Sequence, residues 1–428
     1  MIELGDRVRA LLGPRAVGEL EWRGRKEPLP LALPAGIDEA RELVLWARAE
    51  RVPLAPVGVG TKLGWSRPPS SARGAVLALS TRRMQHVVEY EPGEGVLTAL
   101  AGTRMASLRD AARANGHWLT PDVPAAENAT LGGVIAAGQS GRDRLRHGPV
   151  RHHVLGVRAL MADGTLAKSG GRLVKNVTGF DLPRLFTGSH GTLCVIVEAT
   201  LRLAVAPRVE AVVTTAARDK DELAARARAV MRSHARPFAL HAAKLDAPRA
   251  GSSWALFAHL GGQAEVVHDE LGVLRELWKP ASVFEGAEAA NLAREQREVD
   301  FTTEPRPWLH ATCAPGAVPA VLSALERATA FLPTRTLAEP ALASVDVQLR
   351  VPDGEKLDAA RWIGLLPALR AELEALGATL VLRNPTRKLA ASGSPWPALG
   401  AGAAVMRSIR DRLDPDGTFA RGRFEEDL

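Results

Sequence analysis

The sequence predicts an α+β protein with two principal domains, and three observations point there. Its 428 residues compare with about 150 per domain, so more than one core is expected. The first half alternates short apolar strands with glycine-rich loops, whereas from about Arg208 onward strand–helix–strand units recur. Hydrophobic residues make up 46% and charged residues 24%, which excludes a disordered chain, a collagen-like chain and a small disulfide scaffold.

Element by element, Met1 to about Gly13 reads as a short amphipathic helix, followed by a proline-punctuated approach. Ile37 to Glu50 is a stronger helix, with Asp38 near its start and Ala40, Leu43, Val44 and Ala47 on one face. Leu54–Val57 is a short strand running into a glycine turn. Strands follow at Ala75–Leu79, His86–Tyr90 and Val96–Ala101, the last two separated by the turn EPGEG. Thr103 is the expected N-cap of a helix to Asn115, with Gly116 placed to end it. Thr120 to Gly141 reads as loop, being poor in bulky side chains. Val154–Met161 and the Asp163-Gly164 turn read as a hairpin, and a glycine-rich passage from Gly170 to Gly191 leads into the strand Leu193–Leu203.

After Pro207 the texture changes. Val209–Thr214, Asp221–Ser233 and Phe238–Leu245 read as strand, helix and strand, and Trp254–Leu260, Glu265–Trp278 and Ala281–Phe284 repeat that order. Trp308–Cys313, Val318–Phe331, Val345–Arg350, Trp362–Leu376 and Thr379–Arg383 repeat it more loosely. Split βαβ topology is the expectation. A helix Ala403–Leu413 and the tail DPDGTFARGRF close the chain. The expected domains are a helical lead over 1–28, a first domain over 29–207, a second over 208–390, and a C-terminal helix and tail over 391–428 that return to the first domain.

Lys+Arg 55 against Asp+Glu 48 gives 55 − 48 = +7, with a sequence pI near 9.8. Nine of the basic residues are lysines, so arginine carries the excess. The charges are scattered, which reads as a solvated surface rather than a nucleic-acid-binding arm. They suit a phosphate-bearing cofactor or an anionic substrate equally well. Cys194 and Cys313 are too few for a four-cysteine iron–sulfur or zinc site, and two buried free thiols in a reducing compartment are expected. The start MIELGDRVRALLGPR does not read as a signal peptide. The long uncharged runs Pro307–Leu325 and Leu389–Met406 are broken by proline and glycine, so neither reads as a membrane helix. A cytoplasmic protein, attached to a membrane only through partners, is expected.

Three glycine-rich motifs carry the chemistry. A strand entering Gly58-Val59-Gly60-Thr61-Lys62 leaves backbone N–H groups unpaired and converging, which is how a nest for phosphate oxygens is built. Leu63 stands where the G-x-G-x-x-G fingerprint needs its last glycine, and Thr61 where Walker A needs the glycine before its lysine. Both of those families are therefore rejected; taken alone, the loop reads equally as a tight turn. The second motif is Ala129-Thr130-Leu131-Gly132-Gly133-Val134-Ile135-Ala136, prepared by Pro121-Asp122. Its paired glycines permit close backbone approach to a ligand, or else a closely packed loop or helix start. The third runs Lys175-Asn176-Val177-Thr178-Gly179-Phe180-Asp181-Leu182, then Gly188-Ser189-His190-Gly191-Thr192-Leu193. It lacks nucleophile-elbow spacing, and a glycine-punctuated connection between strands is its alternative reading.

In this order the three motifs, with RHGPVRHHVLGVRALMADG, make the chain from about Leu29 to Pro207 resemble the FAD-binding domain of the flavoprotein family typified by vanillyl-alcohol oxidase and D-lactate dehydrogenase. GTKLGW and GGRLVKNVTGFDLPRLFTGS look most like the FAD-binding subunits of bacterial glycolate oxidases. The tail DPDGTFARGRF looks like a degraded form of the family's D-P-x-G-x-x-N-P-G-R ending. The resemblance implies a PCMH-type FAD-binding domain of two α/β subdomains followed by a ferredoxin-like α+β cap domain. It implies FAD as cofactor, with Pro56, Val57, Gly58, Val59, Gly60, Thr61 and Lys62 wrapping the pyrophosphate. Pro121, Asp122, Thr130, Leu131, Gly132, Gly133, Ala136, Ser140, Gly141 and Gly148 would line the opposite side. Gly191, Val195, Ile196 and Val197 would meet the adenine half. The family's Asn-Ala-Gly-Gly is Gly138-Gln139-Ser140-Gly141 here, and Cys194 replaces its glycine after Thr-Leu; neither change removes a charge or a loop glycine. Members that attach flavin to histidine often carry it in the first loop, and none occurs between Pro56 and Trp65, so non-covalent FAD is expected.

By the same resemblance, catalytic relatives carry a histidine pair and a G-D-G-N-x-H element in the cap domain, and this chain has neither. His241, His259, His268 and His310 read as isolated packed or surface residues, and His152-His153 as solvent-facing. Arg350 and Arg383 end predicted strands, as carboxylate clamps or as solvated strand ends. No catalytic residue and no metal ligand is assigned. The implied role is the FAD-binding subunit of a glycolate (2-hydroxy acid) oxidase complex, partnered by a catalytic flavin subunit and an iron–sulfur subunit. A free-standing FAD oxidoreductase is the alternative, and a non-enzymatic assembly protein is a third.

Overall fold

Two compact units account for the chain: Met1–Gly141, Pro149–Val205 and Ala398–Leu428 form the first, Arg142–Gly148 and Ala206–Pro397 the second. The computed structural model describes all residues except 1, 23–24, 71–74, 173–178, 245–252, 299–305, 351–356, 387, 390–394 and 425–428. Lys175–Thr178 of the third motif thus lie outside the described residues.

The first unit holds two larger sheets. Strands β1 (Val17–Leu20), β2 (Leu29–Ala32), β3 (Leu54–Val57) and β4 (Leu77–Ser80) run in the order β1-β2-β4-β3, with β4 parallel to both β2 and β3. Helix Ile37–Ala49 joins β2 to β3 and buries Ala40, Leu43, Val44 and Ala47, the face its periodicity marks. The second sheet comprises β5 (Val87–Glu91), β6 (Val96–Leu100), β8 (Val154–Leu160), β9 (Leu166–Gly170) and β10 (Val195–Arg202), antiparallel in the order β5-β6-β10-β8-β9. The short strands β7 (His117–Trp118) and β11 (Ala204–Val205) pair with each other. The β8–β9 hairpin turns at Asp163, whose Oδ1 accepts from the Thr165 N–H at 2.8 Å.

Three sequence expectations change here. The proline-punctuated approach contains β1 and β2, because fully buried Leu29 and Leu31 supply a strand face that the flanking prolines obscure. Thr103 does not cap its helix, which spans Met105–Ala114 with Arg104 at the cap position. Its hydroxyl is taken by His86, accepting from the backbone N–H at 3.0 Å and donating to the carbonyl. The Thr120–Gly141 passage is not all loop: Leu131–Ala137 is helical, burying Leu131, Val134 and Ile135 and ending on left-handed Gly138.

The second unit is built on one antiparallel sheet of eight strands: β12 (Val209–Ala217), β13 (Ala239–Lys244), β14 (Trp254–Gly262), β15 (Ser282–Glu285), β16 (Trp308–Thr312), β17 (Thr334–Glu339), β18 (Ser344–Leu349) and β19 (Thr379–Arg383). Their order, β15-β12-β14-β13-β17-β18-β16-β19, is two copies of the split βαββαβ arrangement joined between β13 and β17. The loose internal echo in the sequence is this duplication. Helices Lys220–Arg232, Ala264–Leu277, Val318–Thr329 and Ala359–Ala375 bury Leu223, Leu274, Leu325 and Trp362 in one core with alternate strand residues such as Leu256, Leu309 and Val347. Strand period two then turns His241, His259, His310, Asp346 and Arg383 to the other face. Helix Gly286–Glu298, polar over most of its length, was not expected from the sequence.

Candidate functional site

In the first unit, β3 leads directly into the wall of a cleft enclosing about 630 Å³, solvent at its mouth included. Pro56 to Leu63 form one side, and Thr130, Gly132, Gly133, Ala136 and Ala137 form another; Thr81, His190, Gly191, Cys194, Val195, Ile196 and Arg423 complete it. The walls are held by backbone pairing. Thr81 N–H donates to the Val57 carbonyl at 3.0 Å, and Ser80 Oγ donates to the Gly58 carbonyl at 2.6 Å. Leu131 N–H donates to Thr103 O at 2.9 Å and Gly132 N–H to Ala101 O at 2.8 Å, pinning the second motif beside β6. His190 N–H donates to Ala136 O at 2.8 Å, drawing the third motif against the second.

The loop itself is unsatisfied. Among the described residues the N–H groups of Gly58, Val59, Gly60 and Thr61 find no acceptor. Thr130 Oγ1 is buried and also lacks a partner, in a structure where such groups are normally paired. A Cβ added to Gly58 would run into that same hydroxyl oxygen, so only glycine fits. Gly60 has φ +95, a backbone conformation that side chains resist. An anion carrying several acceptor oxygens is the ligand such a loop suits. Burial pushes the Cys194 thiol well above its ordinary range, so it stays protonated and unreactive.

Of the residues singled out from the sequence, Pro56 through Lys62, Thr130, Gly132, Gly133, Ala136, Gly191, Val195 and Ile196 meet in this cleft. Leu131 and Val197 instead face hydrophobic cores. Pro121, Asp122, Ser140 and Gly141 do not line it: Ser140 Oγ accepts from Val150 N–H at 2.9 Å, and Gly141 packs on the Asp122 carbonyl. Gly148 belongs to the second unit. Leu63, Thr81, Ala137, His190, Cys194 and Arg423 also line the cleft without having been among the expected site residues. The tail motif was the available signal for Arg423 and the third motif contains His190, whereas Thr81, just after β4, has no local signal of its own.

The second unit carries a separate polar cluster. His310 Nδ1 lies 2.6 Å from Asp346 Oδ1, directly across the β16–β18 pairing. Arg383 is stacked over the Trp308 ring at 4.8 Å, and Arg144 Nη2 donates to Glu339 Oε2 at 2.7 Å and Ser344 Oγ at 3.2 Å. Burial, then the Arg383 charge, hold the His310 pKa below its ordinary value. Burial pushes Asp346 up, but His310 and the arginines outweigh it and keep the carboxylate ionised. His259 sits 2.9 Å from Glu210 and 3.8 Å from Asp143. These histidines, read as isolated from the sequence, are partnered. His241 too meets the Gln296 side chain at 3.2 Å.

Comparison with known proteins fits this geometry. Residues 28–170 match the FAD binding domain family. FAD is the cofactor of this domain, and the unsatisfied loop amides, the orphan Thr130 hydroxyl and the side-chain-free approach at Gly58 fit its diphosphate. A D-2-hydroxyglutarate dehydrogenase of Xanthomonas citri is 33% identical over 210 residues, covering 47% of this chain and 44% of that protein. The glycolate oxidase subunit GlcE of Escherichia coli is 35% identical over 168 residues, covering 39% of this chain and 47% of that protein. The matched stretches thus span less than half of either relative. The structure of an alkyldihydroxyacetonephosphate synthase superposes with a TM-score of 0.70 at 16% identity, covering 92% of this chain and 77% of the other, and shows the same fold. No helix among the described residues is long and apolar enough to cross a membrane.

Proposed function

We propose that this chain is an FAD-dependent oxidoreductase of small 2-hydroxy acids, serving as the FAD-binding subunit of a glycolate oxidase-type complex. The observation that carries it is the cleft whose glycine-lined walls present unpaired amides to a diphosphate. The names of the relatives, a 2-hydroxyglutarate dehydrogenase and a glycolate oxidase subunit, support the substrate class. FAD, when bound, supplies the two-electron acceptor for a hydride from the hydroxy acid carbon. In this reading Gly58 to Lys62, with Thr130, Gly132, Gly133 and Ala136, hold the cofactor, non-covalently. A catalytic flavin subunit and an iron–sulfur subunit carry turnover and electron export.

The His310–Asp346 pair favours a second reading, in which the chain turns over alone. With Asp346 on Nδ1, Nε2 is the nitrogen left to accept a hydroxyl proton, and the low pKa keeps it neutral near pH 7. Arg383, stacked over Trp308, adds a positive charge to that cluster. Anaerobic mixing of the FAD-loaded chain with glycolate, D-lactate or D-2-hydroxyglutarate separates the readings. Slow or absent bleaching alone, with fast bleaching once co-purified partner chains are added, is the expected result. Rapid bleaching of the isolated chain that disappears in His310→Gln would favour the free-standing enzyme. No bleaching in either setting, with any of the three acids, would sink the substrate class.

A further inference from the structure

Arg423 is buried to 4% exposure, yet it lines the same cleft as the glycine loop. It comes from the C-terminal tail, whose backbone is tied to the region after the loop: Arg67 N–H donates to Arg423 O at 2.9 Å and Ser70 N–H to Arg421 O at 3.0 Å. Both bonds from its guanidinium, Nε at 2.9 Å and Nη2 at 2.6 Å, go to one neutral oxygen, Ser66 Oγ. Its remaining neighbour of note is the Trp22 ring, 4.5 Å below the guanidinium carbon. Among the described residues no carboxylate pairs with it. Burial alone accordingly draws its pKa down, to about 9. A buried cation without a counter-ion is costly, and proteins retain one where an anion completes the site.

We propose that Arg423 is the counter-charge for the FAD diphosphate, which makes the C-terminal tail part of the cofactor site. The guanidinium is held ready by Ser66 and Trp22, so little side-chain freedom remains to be lost on binding, and its planar fork suits phosphate oxygens. Electrostatics supports the assignment: the loop supplies amide partial charges and the Lys62 ammonium, and Arg423 adds a second full charge from the tail. The proposal rests on the cleft being the FAD site, and the test keeps the two apart.

The full chain, stripped of flavin, is titrated with FAD by quenching of flavin fluorescence, and ADP is used as a competitor that carries the diphosphate without the flavin. Wild type should bind FAD and be displaced by ADP. Arg423→Met should weaken both ligands by about 10- to 100-fold, while Arg423→Lys, which keeps the charge and loses the fork, should fall between. Riboflavin, which has no phosphate, should bind all three chains alike. Circular dichroism checks folding, and if Arg423→Met does not fold, Arg423→Gln is judged by the same criterion. A folded neutral variant that binds FAD and ADP within threefold of wild type overturns the proposal alone. A wild-type chain that takes up no FAD overturns the cofactor assignment and this proposal with it.

Discussion

Gly60 and His259 show how single residues act through opposite physics. Gly60 holds φ +95 with Leu63 Cδ1 3.2 Å from where a Cβ would stand. Valine there must distort the loop that presents the amides. Gly60→Val is therefore expected to purify without flavin absorbance, with Arg350→Ala as the flavin-retaining control. His259 acts through charge. Burial disfavours its protonated ring, but Asp143 and Glu210 outweigh that and raise its pKa from 6.5 to about 9. A histidine raised in the folded state contributes stability that is present in full below pH about 6.5 and is lost as pH rises through about 9. Urea denaturation should show stability falling across that window. His259→Gln should flatten that part of the profile, and an unchanged slope in the variant would assign it elsewhere.

Among the elements, the tail and helix Lys220–Arg232 of the second unit give contrasting tests. Asp414 ends helix Gly402–Leu413 and accepts from the N–H groups of Thr418 and Phe419, each at 2.8 Å. Those bonds set the turn that lets Thr418 O and Ala420 N–H pair with Leu54 at 2.7 Å, at the start of the strand leading to the cleft. Asp414→Ala leaves two buried N–H groups without acceptors, so a loss of about 1–3 kcal/mol is expected together with weaker FAD retention. Asp219 caps helix Lys220–Arg232, accepting from Asp221 and Glu222 N–H at 3.0 and 2.8 Å. Asp219→Ala should cost about 1 kcal/mol, seen as a lower urea midpoint at unchanged slope, with flavin content untouched. Loss of flavin in this variant would mean that the second unit's stability governs cofactor retention.

For the whole molecule, a ligand that binds only the folded chain stabilises it by mass action, by about 2.7 kcal/mol at a hundredfold excess over Kd. FAD should therefore raise the melting temperature in a concentration-dependent way, and riboflavin at matched concentration should raise it less. Non-covalent binding also predicts that acid precipitation releases all yellow colour to the supernatant. Flavin that stays in the pellet would contradict it. The chain runs out of the first unit at Ala206 and back into it at Ala398, so residues nearly the length of the chain apart share one cleft.

The α+β class, most helices and strands, and the glycine loops that point to FAD are legible in the sequence, because periodicity, turns and φ requirements are local properties. Leu54–Val57 running into Gly58-Val59-Gly60-Thr61 is such a signal, and the structure puts strand and cleft wall there. Helix Leu131–Ala137 was harder to read, because its two glycines and small residues mask a stripe formed only by Leu131, Val134 and Ile135. Which distant residues meet is set by the three-dimensional pairing of the elements. A strand's period of two assigns His310 and Asp346 to faces, but not to each other; the β16–β18 register does that. Arg423 reaches Ser66 across 357 positions of sequence. Such contacts depend on how elements pair in three dimensions, and local sequence patterns carry no record of that choice.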